Sequence, residues 1–225
     1  MNDTKLQLIG AEKKAAQLFN QIDNRGLICP GKSENDLNAE IFNLAFELYG
    51  IKKYWHKRIV RAGKNTLKPY NENPDNLIIQ EDDILFIDFG PIFDEWEADY
   101  GRTYVLGDDK LKLKLVKDIS LAWNECKNFF ISRKHITGAE LYDYAVKSAN
   151  NYGWKFGGEI AGHLIGHFPH EKLDKEDKTN YVHPDNNIDM LALDINGNKR
   201  DWILEIHFVD NEKEIGGFFE QLLTC

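Results

Sequence analysis

Residues 84–107, ILFIDFGPIFDEWEADYGRTYVLG, constrain this chain more than any other stretch. An apolar run ends on Asp88, Gly90-Pro91 breaks it, and the chain returns through Asp99 into Gly101-Arg102-Thr103. β-Branched and aromatic residues on both arms, with turn residues between, predict a β-hairpin. With the turn centred on Phe93-Asp94, Asp88 falls directly opposite Asp99, a position where Cβ atoms lie roughly 4.5–5.5 Å apart. Two ionised carboxylates at that range repel, so a fold that holds both needs a counter-charge. A divalent cation, or a pair of them, supplies one, and oxygen-rich sites suit Mn, Mg, Co or Fe. The competing reading is a solvated acidic hairpin. It sits poorly with Asp88 at the end of a run too apolar for a surface edge.

The rest of the chain falls into two similar runs around this hairpin. Leu8, Ala11, Ala15, Leu18, Phe19 and Ile22 carry the spacing of one helical face over 4–24. Ser33 opens a second helix over 34–49, with Leu37, Ile41, Leu44, Ala45 and Leu48 as its stripe and Gly50 as its stop. A strand-like stretch over 54–63 and a polar loop over 64–76 lead into the hairpin. The order then repeats: a helix over 109–131, then a capping box, Thr137 to Glu140, opening a helix to Tyr152. Strand-like segments follow near 157–168, 188–195, 201–209 and 214–223, and 171–187 reads as a polar surface excursion. This pattern predicts an α+β domain of two helix-helix-strand halves, and 225 residues without a linker predict one domain over 1–225. A net charge of −9, from 28 basic and 37 acidic residues, argues against nucleic acid or an anionic membrane as partner. No apolar stretch is long enough for a membrane span, and no signal peptide is evident. Three scattered cysteines, Cys29, Cys126 and Cys225, make a reducing cytoplasm the expected location.

The second half carries more chemistry. Residues 162–171, GHLIGHFPHE, place His163, His167 and His170 close together between apolar residues. Imidazole is both a common metal ligand and an acid–base group near neutral pH. Glu205 and Glu220 each interrupt an apolar strand, where a carboxylate is either exposed or buried with a partner. Alternation does not decide for Glu205. Its neighbours Leu204 and Ile206 suit the face opposite its own, and His207, two residues on, would share the face of Glu205. His167 either lines a pocket mouth or turns outward, and His135 and His183 read as solvated.

Taken in order, Asp88, Asp99, His163, Glu205 and Glu220 resemble the five-ligand dinuclear site of the pita-bread superfamily of methionine aminopeptidase, aminopeptidase P and prolidase. The eleven-residue Asp–Asp spacing, Arg102-Thr103 after the second Asp, Gly162-His163, and His170 before Glu171 carry the resemblance over about residues 5–223. It implies the pita-bread fold and the catalytic half alone, without an N-terminal creatinase-like domain. It further implies two divalent ions (Mn, Co, Fe or Zn) bridged by Asp99 and Glu220, with Asp88 completing one site and His163 with Glu205 the other. A metal-bridging hydroxide would attack the amide carbonyl of a short peptide near its N-terminus, with His170 as donor to the oxyanion. The implied enzyme is an aminopeptidase or Xaa-Pro dipeptidase-like hydrolase, for which a homodimer is an open assembly state. Three positions depart from the pattern. Pro69-Tyr70 stand where relatives carry a substrate-facing histidine, Glu159 stands in place of a histidine of the proline-specific members, and Ile206 follows Glu205 in place of proline. His56 either replaces the missing histidine as a substrate contact or is an edge-strand residue beside Trp55 and Lys57. Glu159 would disfavour a free substrate carboxylate. These departures keep alive a hydrolase of a non-peptide C–N bond, and an inactive pita-bread binding module is a further alternative.

Overall fold

The computed structural model describes residues 3–169 and 177–224. The chain begins with α1 (Asp3–Asn24) and α2 (Glu34–Tyr49). The predicted stripe of α1, from Leu8 to Ile22, is buried along its length. Ser33 and Asp36 form a reciprocal capping box at the start of α2, and Gly50 closes it with φ of 68°, a left-handed conformation that glycine adopts without strain. Strands β1 (Ile59–Ala62), β2 (Ile84–Phe89), β3 (Ile92–Phe93), β4 (Trp96–Glu97) and β5 (Tyr100–Val105) follow. The second half contains α3 (Lys110–Ile131), α4 (Gly138–Tyr152), β6 (Lys155–Phe156), β7 (Leu164–Ile165), β8 (Asp201–Asp210) and β9 (Ile215–Leu222). Thr137 and Glu140 cap α4 as their spacing predicts.

The main sheet runs β1-β2-β5-β9-β8-β6, with β7 also on β8 and every pairing antiparallel. Each half has its own core. Leu85, Ile87 and Phe89 of β2 pack with α1 and α2, and Leu204, Ile206 and Phe208 of β8 pack with α3 and α4. Alternation sends the intervening residues to the other face: Phe86 and Asp88, Glu205 and His207, and Phe218 and Glu220 all line one cavity there. A one-residue slip of β8 would turn three buried apolar side chains into that cavity and Glu205 into the core. Each such side chain is worth about 1.5–3 kcal/mol when buried, so the register is firmly held. Trp123 of α3 adds a hydrogen bond from Nε1 to the Leu204 carbonyl, 2.9 Å long. Among the described residues, no helix is long and apolar enough to cross a membrane.

Several predicted elements differ. The hairpin turns at Asp94-Glu95, whose φ values of 49° and 70° are both positive, as a tight two-residue turn requires. Asp88 therefore pairs with Gly101, not with Asp99. The cause is Phe93: its ring packs edge-on against Tyr49 of α2, which draws it into β3 and leaves the exposed acids to make the turn. The 54–63 stretch is strand only at 59–62, with Tyr54 bridging to Pro91. Residues 188–195 are turns, because Asp189 and Asp194 accept hydrogen bonds from nearby backbone N–H groups and hold local turns. The 157–168 stretch is broken at its glycines. At Gly162, φ is 143° and a Cβ would lie 2.1 Å from the Ile203 carbonyl oxygen, so only glycine fits. The described part of the 171–187 excursion does not stay at the surface: Val182 and Asn186 are buried, and Val182 exchanges backbone hydrogen bonds with Ala161 and Gly162.

Candidate metal centre

Four elements and two loops bring the acids and imidazoles together. Asp88 is the last residue but one of β2, Asp99 immediately precedes β5, and Glu205 and Glu220 are direct partners across β8 and β9. His163 follows Gly162 in the segment held against β8 by the hydrogen bond from Ile203 N–H to the His163 carbonyl, 2.8 Å long. Asp88, Asp99, His163 and Glu220 are buried, and Glu205 is half-buried at the cavity wall. His163 Nε2 lies 3.1 Å from Asp99 Oδ2 and 3.8 Å from Glu220 Oε1. The sequence-predicted acids and His163 thus share one place, although the predicted Asp88–Asp99 pairing across the hairpin does not form.

His56 joins them from the loop before β1, not from the strand itself. Trp55 clamps that loop to the hairpin break, through its backbone N–H to Gly90 and its indole N–H to Ala98, 3.0 and 3.1 Å. His56 Nε2 then stands 3.0 Å from Asp99 Oδ1 and 3.6 Å from Asp88 Oδ1.

Burial of so many like charges strains the cluster. Burial raises the Asp88 carboxyl to about 7, with Asp99 and Glu205 adding to the effect and His56 opposing it. Glu205 and Glu220 are also raised, chiefly by burial, and they face each other directly across β8 and β9. Asp99 goes the other way: burial pushes it up, but His56 and His163 outweigh that and hold it well below the ordinary range. Burial lowers the His56 ring, yet Asp99 and Asp88 prevail and raise it to about 9.

Divalent cations fit this donor set. Asp88 Oδ1 and Glu220 Oε2 are buried without a hydrogen bond, two of only three such side-chain atoms among the described residues. Unpaired buried carboxylate oxygens are costly, and a cation would satisfy them and displace the protons that burial forces on. Ligand atoms of Asp99, His163 and Glu220 lie within 4.8 Å of one another, as do those of His56, Asp88 and Asp99.

Arg102 and Thr103 acquire a physical role. Arg102 donates to the Gly101 and Glu220 carbonyls, at 2.7 and 2.8 Å, with its guanidinium 3.8 Å from the ring centres of both Tyr100 and Phe219. Thr103 exchanges hydrogen bonds with Phe218, so the pair stitches β5 to β9 on both sides of Glu220. Two supports were not legible in the sequence. Arg61 donates to the carbonyls of Lys68, Pro69 and Glu72, and Glu34 accepts from Ala62 N–H, Asn65 and Leu77 N–H. Together they pin the 62–77 loop, so that Tyr70 walls the cavity beside His56. Neither carries a sequence signal, since each acts on partners outside its own element that only the folded loop brings to it.

The cavity holds about 600 Å³. Lys68, Lys178 and Glu159 line it together, so its charge is mixed and Glu159 does not act alone. His207 shares the face of Glu205 as expected; its Nε2 donates to the Thr66 carbonyl, and burial lowers its pKa to about 4. His167 is exposed against Trp96, and His135 is exposed beside Asp189. His183 is half-buried, because it folds inward with the segment around Val182. His170 lies outside the described residues.

This arrangement, two helix-helix-strand halves around an acid-lined cavity, is the pita-bread fold. A dipeptidase structure from Pyrococcus horikoshii matches it with a TM-score of 0.74 at 24% identity, over 95% of this chain and 55% of that one. Methionine aminopeptidase from Rickettsia prowazekii matches at 0.70 and 17% identity, over 98% and 96%. Residues 8–192 match metallopeptidase family M24, and the chain belongs to that family. The Xaa-Pro dipeptidase of Pyrococcus horikoshii is 28% identical over 140 residues, which make up 62% of this chain and 38% of that protein. The chain thus matches well under half the length of this curated relative.

Proposed function

We propose that the chain is a metal-dependent exopeptidase that hydrolyses a peptide bond near the N-terminus of short peptides, in the manner of an aminopeptidase or Xaa-Pro dipeptidase. The observation that carries this reading is the convergence of Asp88, Asp99, His163, Glu205 and Glu220 in one cavity, with Asp88 Oδ1 and Glu220 Oε2 buried without a hydrogen bond. These residues would hold two divalent ions, Mn, Co, Fe or Zn. Bound there, the ions would supply Lewis acidity toward the scissile carbonyl and a water of lowered pKa.

The remaining work falls to the chain. A cavity of about 600 Å³ suits a few residues and excludes a folded protein. Trp55, Tyr70 and Phe218 offer apolar surface to a substrate side chain and keep bulk water out. Lys68, Lys178 and Glu159 meet the charged end of the substrate. His170, carried over from the resemblance, would donate to the carbonyl oxygen. The names of the curated relatives support substrates of the Xaa-Pro class.

The test is hydrolysis of a dipeptide and Xaa-Pro peptide panel before and after chelation. Activity should vanish with chelator and return with one of Mn(II), Co(II), Fe(II) or Zn(II). No hydrolysis across the panel with any of these ions would contradict the reading.

A further inference from the structure

Two imidazoles flank Asp99, and the chain presents them in the same way. His163 has Nδ1 2.8 Å from the carbonyl oxygen of the next residue, Leu164, and Nε2 3.1 Å from Asp99 Oδ2. His56 has Nδ1 2.7 Å from the carbonyl oxygen of its own next residue, Lys57, and Nε2 3.0 Å from Asp99 Oδ1. A carbonyl oxygen only accepts, so each Nδ1 carries a proton and each Nε2 is turned to the carboxylates. An Nε2 lone pair facing a carboxylate oxygen is repelled unless a proton or a cation lies between them. A ring locked through Nδ1–H to a backbone carbonyl is also how metal-bound histidines fix their tautomer.

The packing around His56 holds the ring in that orientation. Its side chain is 7% exposed, Trp55 meets it edge-on at 4.5 Å, and a Cβ on Gly90 would lie 2.2 Å from it. Gly90 is therefore the residue that leaves room for the ring. A side chain that only met substrate would turn Nε2 to the open cavity, whereas this one is directed at Asp99 and Asp88.

We propose that His56 is a metal ligand, so that one cation is held by His56, Asp88 and Asp99 Oδ1, and the other by His163, Glu220 and Asp99 Oδ2 with Glu205 beside them. This assignment rests on the metal-dependent reading above and displaces the substrate contact that the sequence suggested for His56. It makes the centre nearly symmetric, with one imidazole per ion and Asp99 as the shared bridge. Imidazole at both positions favours Co, Zn or Fe over Mg or Mn.

The test is Co(II) loading of the full chain, read by X-ray absorption and by calorimetric titration. Wild-type protein with two Co(II) should show two imidazoles per pair of ions. His56→Gln should show one, and should bind one of its two ions on the order of 1,000-fold more weakly or worse, beyond the roughly 10–100-fold that loss of an outer-shell partner costs. A single imidazole per pair in wild type overturns the proposal and leaves the dinuclear reading standing, and this count needs no variant to fold. Unchanged affinity at both sites in His56→Gln also overturns it. Wild type that binds no Co(II) overturns both readings together.

Discussion

Gly162 decides whether His163 reaches the cluster. Its φ of 143° and the Ile203 carbonyl 2.1 Å from the position of a Cβ leave no room for a side chain. Gly162→Ala should therefore lower stability by about 3 kcal/mol, from strain and backbone displacement together. Urea unfolding measures this, and a change under about 0.5 kcal/mol would mean the segment yields easily. Glu159 is the other informative position. It lines the cavity as an exposed carboxylate, so its removal should favour substrates with a free carboxylate. Glu159→Gln should raise kcat/KM for a free Xaa-Pro dipeptide relative to its amide by about two- to fivefold, the worth of one exposed charge contact. An unchanged ratio would place the substrate terminus elsewhere. At this scale the residue types were legible: acids inside apolar strands and a histidine after a glycine announce themselves. The direction of His56 was not, because it depends on Trp55 finding Gly90 and Ala98 across the fold.

At the scale of elements, the capping boxes were legible because they are local, four residues apart and complete in themselves. The α2 box has a pH signature. Hydrogen bonds from Ser33 hold the Asp36 carboxyl below its ordinary 3.8. A carboxyl depressed in the folded state contributes stability that is fully present above its unfolded value and is lost as pH falls through the folded one. Asp36→Asn keeps an acceptor and removes the titration. Its stability deficit against wild type, measured by chemical denaturation, should be constant above about pH 5 and should close as pH falls below 3.8. A deficit that persists unchanged to pH 2 would remove the box from the acid response. The hairpin register was not legible. Phe93 looked like a turn residue next to Asp94, and only its contact with Tyr49 of α2 makes it strand. The cluster survives this because Asp88 and Asp99 meet through His56 and not across the ladder.

At the scale of the molecule, the repeated helix-helix-strand order was legible, since each helix writes its own apolar stripe. What it could not reveal is that both helical pairs cover one sheet face and leave the other to the cavity. That follows from the alternation of β2, β8 and β9 acting together. Nor could it reveal that Asn186 folds inward, since burial of its amide depends on Nδ2 meeting the Thr179 and Tyr181 carbonyls and Oδ1 meeting the Ile188 N–H in the folded loop. The account as a whole stands on Asp99, whose two oxygens face separate imidazoles and which is therefore shared by both proposed ions. Elemental analysis after equilibrium dialysis against saturating Co(II) tests it most directly. Wild type should retain two ions per chain, and Asp99→Ala should lose occupancy of both sites while remaining folded by circular dichroism. Full dinuclear occupancy in folded Asp99→Ala would contradict the shared bridge on which the centre is built.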